Sequence, residues 1–97
     1  MLIEAYITES FEDAIAFCTN NKVDVLISDL NIGTESGFDV IDAANKNPNN
    51  SELKSFICSA ESPVEFKAKM KESKVYGWIL KPVETNSFRK VLAKLLA

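Results

Sequence analysis

Val23-Asp24-Val25-Leu26-Ile27-Ser28-Asp29 is the stretch on which the fold turns. A near-continuous apolar run ended by a carboxylate reads as a strand buried on both faces, the pattern of a parallel sheet flanked by helices. Two later runs repeat it: Phe56-Ile57-Cys58 closed by Ser59, and Gly77-Trp78-Ile79-Leu80 closed by Lys81. A segment with helical spacing follows each run. In an open α/β sheet, ligand chemistry gathers at the carboxyl ends of the strands. Asp29, Ser59 and Lys81 are thus expected on one rim as a nucleophile, a hydrogen-bond donor and a counter-charge. That set suits phosphoryl transfer to an aspartate.

Outward from this stretch the chain alternates strand and helix. Leu2 to Thr8 is β-prone and is read as a first strand. Ser10, with Asp13 three residues on, has a capping-box pattern. Phe11, Ala14, Ile15 and Cys18 then line one helical face, and Asn20-Asn21-Lys22 ends it. Residues 31–37 read as a polar, Gly-containing loop. Phe38, Ile41 and Ala44 mark a second helix that stops at the Asn/Pro cluster of residues 45–50. After the strand 53–59, Ser62-Pro63 reads as a cap followed by Pro at the first helical position. Val64 and Ala68, joined by Phe66 and Met70, carry the less regular helix that follows. Phe88, Val91, Leu92 and Leu95 give the last helix its apolar stripe. The expected architecture is α/β, a single (βα)₄ domain over residues 1–97.

Composition narrows the function classes. The hydrophobic fraction is 46% and the charged fraction 26%, ordinary for a water-soluble chain. No apolar stretch reaches membrane-spanning length and no signal-peptide pattern opens the chain, so a cytoplasmic location without membrane contact is expected. A net charge of −3 without a basic cluster argues against nucleic acid as a partner. The lysines at 67, 69, 71 and 74 read as a solvated helix face. The absence of histidine excludes His-dependent zinc sites and Ser-His-Asp triads. Cys18 and Cys58 fit no metal or CxxC spacing and are read as buried, reduced thiols.

Together these residues resemble the receiver domain of bacterial response regulators, the signalling modules of two-component systems. The resemblance rests on Val-Asp-Val-Leu-Ile-Ser-Asp29-Leu, a loop ending at Gly37, Ser59-Ala60 after a strand, and Lys81-Pro82 after the last strand. Asp29 precedes Ser59 by 30 residues and Lys81 by 52, spacings similar to the family's. The resemblance implies a flavodoxin-like fold with Asp29 as phosphoacceptor, charged by a histidine kinase or a small phosphodonor. It implies that Ser59 and Lys81 contact the phosphoryl group and that Asp29 and the Asn31 carbonyl ligate Mg²⁺. It also makes Trp78 the switch aromatic and Lys81-Pro82 a candidate cis bond. Read from the residues alone, an inert Asp29–Lys81 salt bridge and a packing role for Trp78 stay open.

The family's opening strand and helix, with an acidic pair at the strand end, have no counterpart before Leu2. The first strand aligns with the family's second, so the implied sheet is a four-stranded parallel one in family order 2-3-4-5. Mg²⁺ prefers octahedral oxygen ligation, and a site without the pair binds it weakly. Glu9 is the candidate substitute ligand, with a solvated carboxylate as the alternative. Right-handed crossovers running one way put their helices on one face. A few hundred Å² of bare apolar sheet, at about 25 cal/mol per Å², gives a driving force of order 5–10 kcal/mol to cover it. A homodimer through Phe88, Val91 and Leu95 is therefore expected. The favoured reading is a degenerate receiver-like module acting through homodimerisation or partner binding. The alternative is a working single-domain response regulator, with an aspartate-nucleophile enzyme the weakest reading.

Overall fold

The computed structural model describes residues 10–82 together with 86, 89, 90, 93 and 94. Helix α1 spans Phe11–Asn20, and the Ser10 hydroxyl accepts the Asp13 N–H at its start, as the capping pattern predicts. Strand β1 follows at Val25–Asp29. The chain then turns through a hairpin of β2, Asn31–Ile32, and β3, Glu35–Ser36. Helix α2 covers Gly37–Lys46 and leads through a 3₁₀ turn, Pro48–Asn50, into β4, Lys54–Ser59. A second 3₁₀ turn, Pro63–Phe66, winds into α3, Lys67–Glu72, and β5 closes the order at Gly77–Leu80.

The single four-stranded parallel sheet in order 2-3-4-5 expected from the sequence is not what forms. Among the described residues the architecture is α/β with two separate sheets: a three-stranded parallel sheet in order β1-β4-β5 and a two-stranded antiparallel one, β2-β3. Residues 31–37, read as loop, hold the second sheet. Gly33 adopts φ 62°, the left-handed region that a tight hairpin turn demands, and so lets Ile32 pair with Glu35. The expected first strand, Leu2 to Thr8, lies outside the described residues.

Alternation decides which side chains are buried. Paired residues of a parallel sheet share a face, which puts Ser28, Ile57 and Trp78 together, with Leu26 two residues before Ser28. On this face Ile57 joins Phe38 and Ile41 of α2 and Leu30, with Phe66 and Met70 packed alongside. A second cluster, Cys18, Val40 and Ala44, seals α1 against α2. Ile41, Ile57 and Val40 are fully buried, each contributing about 1.5–3 kcal/mol over exposure. Phe56 faces the other way and meets the Tyr76 ring edge-on at 5.5 Å. Both cysteines are free and buried.

Candidate functional site

The parallel register delivers the rim residues. Asp29 ends β1 opposite Cys58, and Ser59 ends β4 one rung further, opposite Leu80. The Lys81 N–H donates to the Ser59 carbonyl at 2.9 Å, extending the ladder past the end of β5. Lys81 is thereby aimed across the sheet end, and its Nζ meets Asp29 Oδ1 at 2.9 Å. Both side chains are exposed, 46% and 56%. The pair is therefore hydrated and contributes little to stability. Asp29 holds the Lys81 ammonium above the ordinary lysine range, by their hydrogen bond first and by its charge second. The Lys81-Pro82 bond is cis, as the resemblance implies.

Ser59 is buried, and its hydroxyl oxygen accepts the Glu61 N–H at 3.0 Å. Its proton is left to donate elsewhere, so the hydroxyl can serve an anion at the rim. The Glu61 carbonyl accepts the Trp78 indole N–H at 3.0 Å, and the indole stacks on Phe66 at 5.4 Å. Trp78 thus packs in the core cluster and also ties down the turn after Ser59. Glu61 takes part through its peptide group, N–H to Ser59 and carbonyl to Trp78. No sequence signal marks that role.

Asn31 lies in the hairpin directly after the site. The Gly37 N–H donates to the Leu30 carbonyl at 2.8 Å, so by antiparallel alternation the next pair, Asn31 and Ser36, is the non-hydrogen-bonded one. The Asn31 carbonyl is left out of the ladder, the position a cation ligand needs. Among the described residues, however, no group of three or more His, Cys, Asp or Glu side chains could hold a metal ion. One carboxylate, already paired to Lys81, and one carbonyl fit a weakly held Mg²⁺ rather than a tight one. Glu9 lies outside the described residues, as do Phe88, Val91 and Leu95.

Cys58 sits behind the ion pair. Burial pushes its thiol up, Lys81 pulls it down, and Asp29 pushes it up again. Gly37 and Ser28 are the residues that sequence reasoning missed at the site. Gly37 entered only as the end of a loop, and Ser28 only as part of a strand.

Compared with known families, residues 2–93 match the response regulator receiver domain. Among solved structures, the chain is similar to the Vibrio cholerae chemotaxis protein CheY4 in a low-pH crystal form, at 25% identity and a TM-score of 0.76. That match covers 87% of this chain and 70% of the other. A second structure of this chemotaxis response regulator gives 27% and 0.73 over the same shares, 87% and 70%. The signal receiver domain of a Vibrio parahaemolyticus protein described as a Luxo repressor gives 26% and 0.73, covering 92% and 67%. No curated protein matches.

Proposed function

The chain belongs to the response regulator receiver domain family, a family of signalling modules rather than enzymes, and from that premise we propose that Asp29 is a metal-poor phosphoacceptor in a module that signals chiefly by protein contact. The observation that carries this reading is the 2.9 Å contact between Asp29 and Lys81 on a rim that lacks an acidic cluster among the described residues. A nucleophile and its counter-charge are in place, with the Ser59 hydroxyl one rung away. A weakly held cation leaves the carboxylate and an incoming phosphoryl dianion to repel each other. Phosphorylation is then slow. The module acts through homodimerisation or a signalling partner such as a histidine kinase, and it would do so in the cytoplasm. No helix among the described residues is long and apolar enough to cross a membrane.

Trp78 supplies the readout, because its indole is bonded to the turn that carries Ser59. Beryllofluoride with Mg²⁺ is expected to change its emission only at high millimolar Mg²⁺. A small acyl phosphate should add one phosphoryl group to a minor fraction of the protein, and Asp29→Asn should abolish the gain. Complete labelling at sub-millimolar Mg²⁺ would reject the metal-poor reading in favour of a fully working receiver. No labelling under any condition would reject Asp29 as an acceptor. For the homodimer, sedimentation should show a two-copy species that Leu95→Glu dissociates; a wild-type monomer at high micromolar concentration contradicts it.

A further inference from the structure

Asp29 is held from behind by two residues that take no part in its chemistry. Gly37, the first residue of α2, is buried against the end of β1. A β-carbon at position 37 would overlap the Asp29 carbonyl oxygen outright. It would also lie 2.7 Å from the Ser28 hydroxyl oxygen and 3.1 Å from the Asp29 carbonyl carbon. The Ser28 hydroxyl, 7% exposed, donates to that same carbonyl at 2.9 Å. One peptide oxygen is therefore gripped by a hydroxyl and backed by a bare α-carbon. The Asp29 carboxylate departs from the other side of the same residue.

We propose that Gly37 and Ser28 are positioning residues that fix the Asp29 main chain, and so set where its carboxylate meets Lys81 and the Ser59 rim. The wedge cannot yield from the α2 side. Phe38, Val40, Ile41 and Ala44 are all at or below 2% exposure, and they anchor the helix into both core clusters. The Asp29 side chain is more than half exposed and has Lys81 as its ion-pair partner, so Asp29 is the group that moves. Restoring van der Waals distance to a β-carbon takes a displacement of about 1 Å, the scale on which a reacting group loses about a hundredfold in rate. The inference rests on the phosphoacceptor reading for its functional meaning, but its geometry can be tested without any phosphoryl group.

A water-soluble carbodiimide provides that test. It activates a carboxylate as an O-acylurea, and an amine in direct contact displaces the urea to form an amide, with net loss of one water. Wild type is expected to give an Asp29–Lys81 cross-link, identified by peptide mass mapping. Gly37→Ala, if folded by circular dichroism, should lower its yield about a hundredfold. Ser28→Ala removes one hydrogen bond without adding bulk and should lower it up to about tenfold. A folded Gly37→Ala that cross-links like wild type overturns the proposal. Should Gly37→Ala not fold, Ser28→Ala decides, and an unchanged yield there overturns it equally. Absence of the wild-type cross-link also overturns it. If the cross-link behaves as expected but Asp29 never accepts a phosphoryl group, the functional reading fails and the positioning claim stands.

Discussion

The two ends of the three-stranded sheet are built on opposite terms. At the end where strands begin, asparagine amides are spent on main-chain groups. Asn50 Oδ1 accepts the Val23 N–H at 2.7 Å, and its Nδ2 donates to the Ala44 carbonyl at 3.0 Å. Asn47 Nδ2 reaches the carbonyls of Cys18, Thr19 and Asn21, at 3.3, 3.3 and 3.1 Å. Asn45 Nδ2 donates to the Ser73 carbonyl at 2.8 Å. These bonds tie α2 and the turn after it to the ends of α1 and α3 and to the chain entering β1. At the other end, Asp29 and Lys81 form one hydrated ion pair over a buried hydroxyl. Neutral amides satisfied by fixed carbonyls make a durable joint, whereas a solvated charge pair exchanges partners at little cost. Side chains are held fast at one end and left free to exchange partners at the other.

The strongest way to break this contrast is to cut the joint. Asn50 is 4% exposed, and Asn50→Ala leaves the Val23 N–H and the Ala44 carbonyl without that partner. Denaturant unfolding should show a loss of about 3 kcal/mol. A value within error of wild type would remove the joint from the account. A gain is expected at a flaw in the same end. Ser73 Oγ is buried without a hydrogen-bond partner, so Ser73→Ala should stabilise by up to about 1 kcal/mol.

Smaller effects are expected at the rim. A lysine raised by its partner contributes stability that is present below its unfolded pKa, about 10.4, and lost as pH rises through the higher folded value. Unfolding midpoints of wild type and Asp29→Asn should therefore keep a small, constant gap at neutral pH that closes in strong alkali. A gap that widens there has the wrong sign for the pair described. The smallest signal sharpens the picture behind the pair. Asp29→Asn removes an influence that raises the Cys58 thiol, so alkylation of Cys58 near pH 8 should quicken modestly. Lys81→Ala should slow it. Cys18, raised by burial alone, serves as the internal control.

What the sequence disclosed followed from periodicity and caps. The run ending at Asp29, the Ser10 and Ser62 caps and the stripe Phe38-Ile41-Ala44 all lie where their spacing puts them. The rim was legible because parallel strands end on one side, and Asp29 and Lys81 do meet there. The hairpin was not. Asn-Ile and Glu-Ser are too short and too polar to register as strands, and only the backbone angle at Gly33 exposes the turn. Spacing alone makes the segment after Pro63 one irregular helix. It begins as a 3₁₀ turn, which puts Phe66 against Trp78 instead of on an α-helical stripe. Nor could the Asn/Pro cluster show more than a helix stop, since its reach to Cys18 and Val23 spans more than two dozen residues of chain.

The asparagine at position 47 has a further mechanical consequence. Its amide staples the last turn of α1, while the helix's opening turn stands near the hairpin. Hydrogen bonds fix that extremity and side-chain packing holds the rest of the helix against α2, so any tilt turns about the staple. Ten residues at 1.5 Å each give the helix a lever arm of about 15 Å, so any tilt of α1 is magnified beside the hairpin and nearly cancelled at the staple.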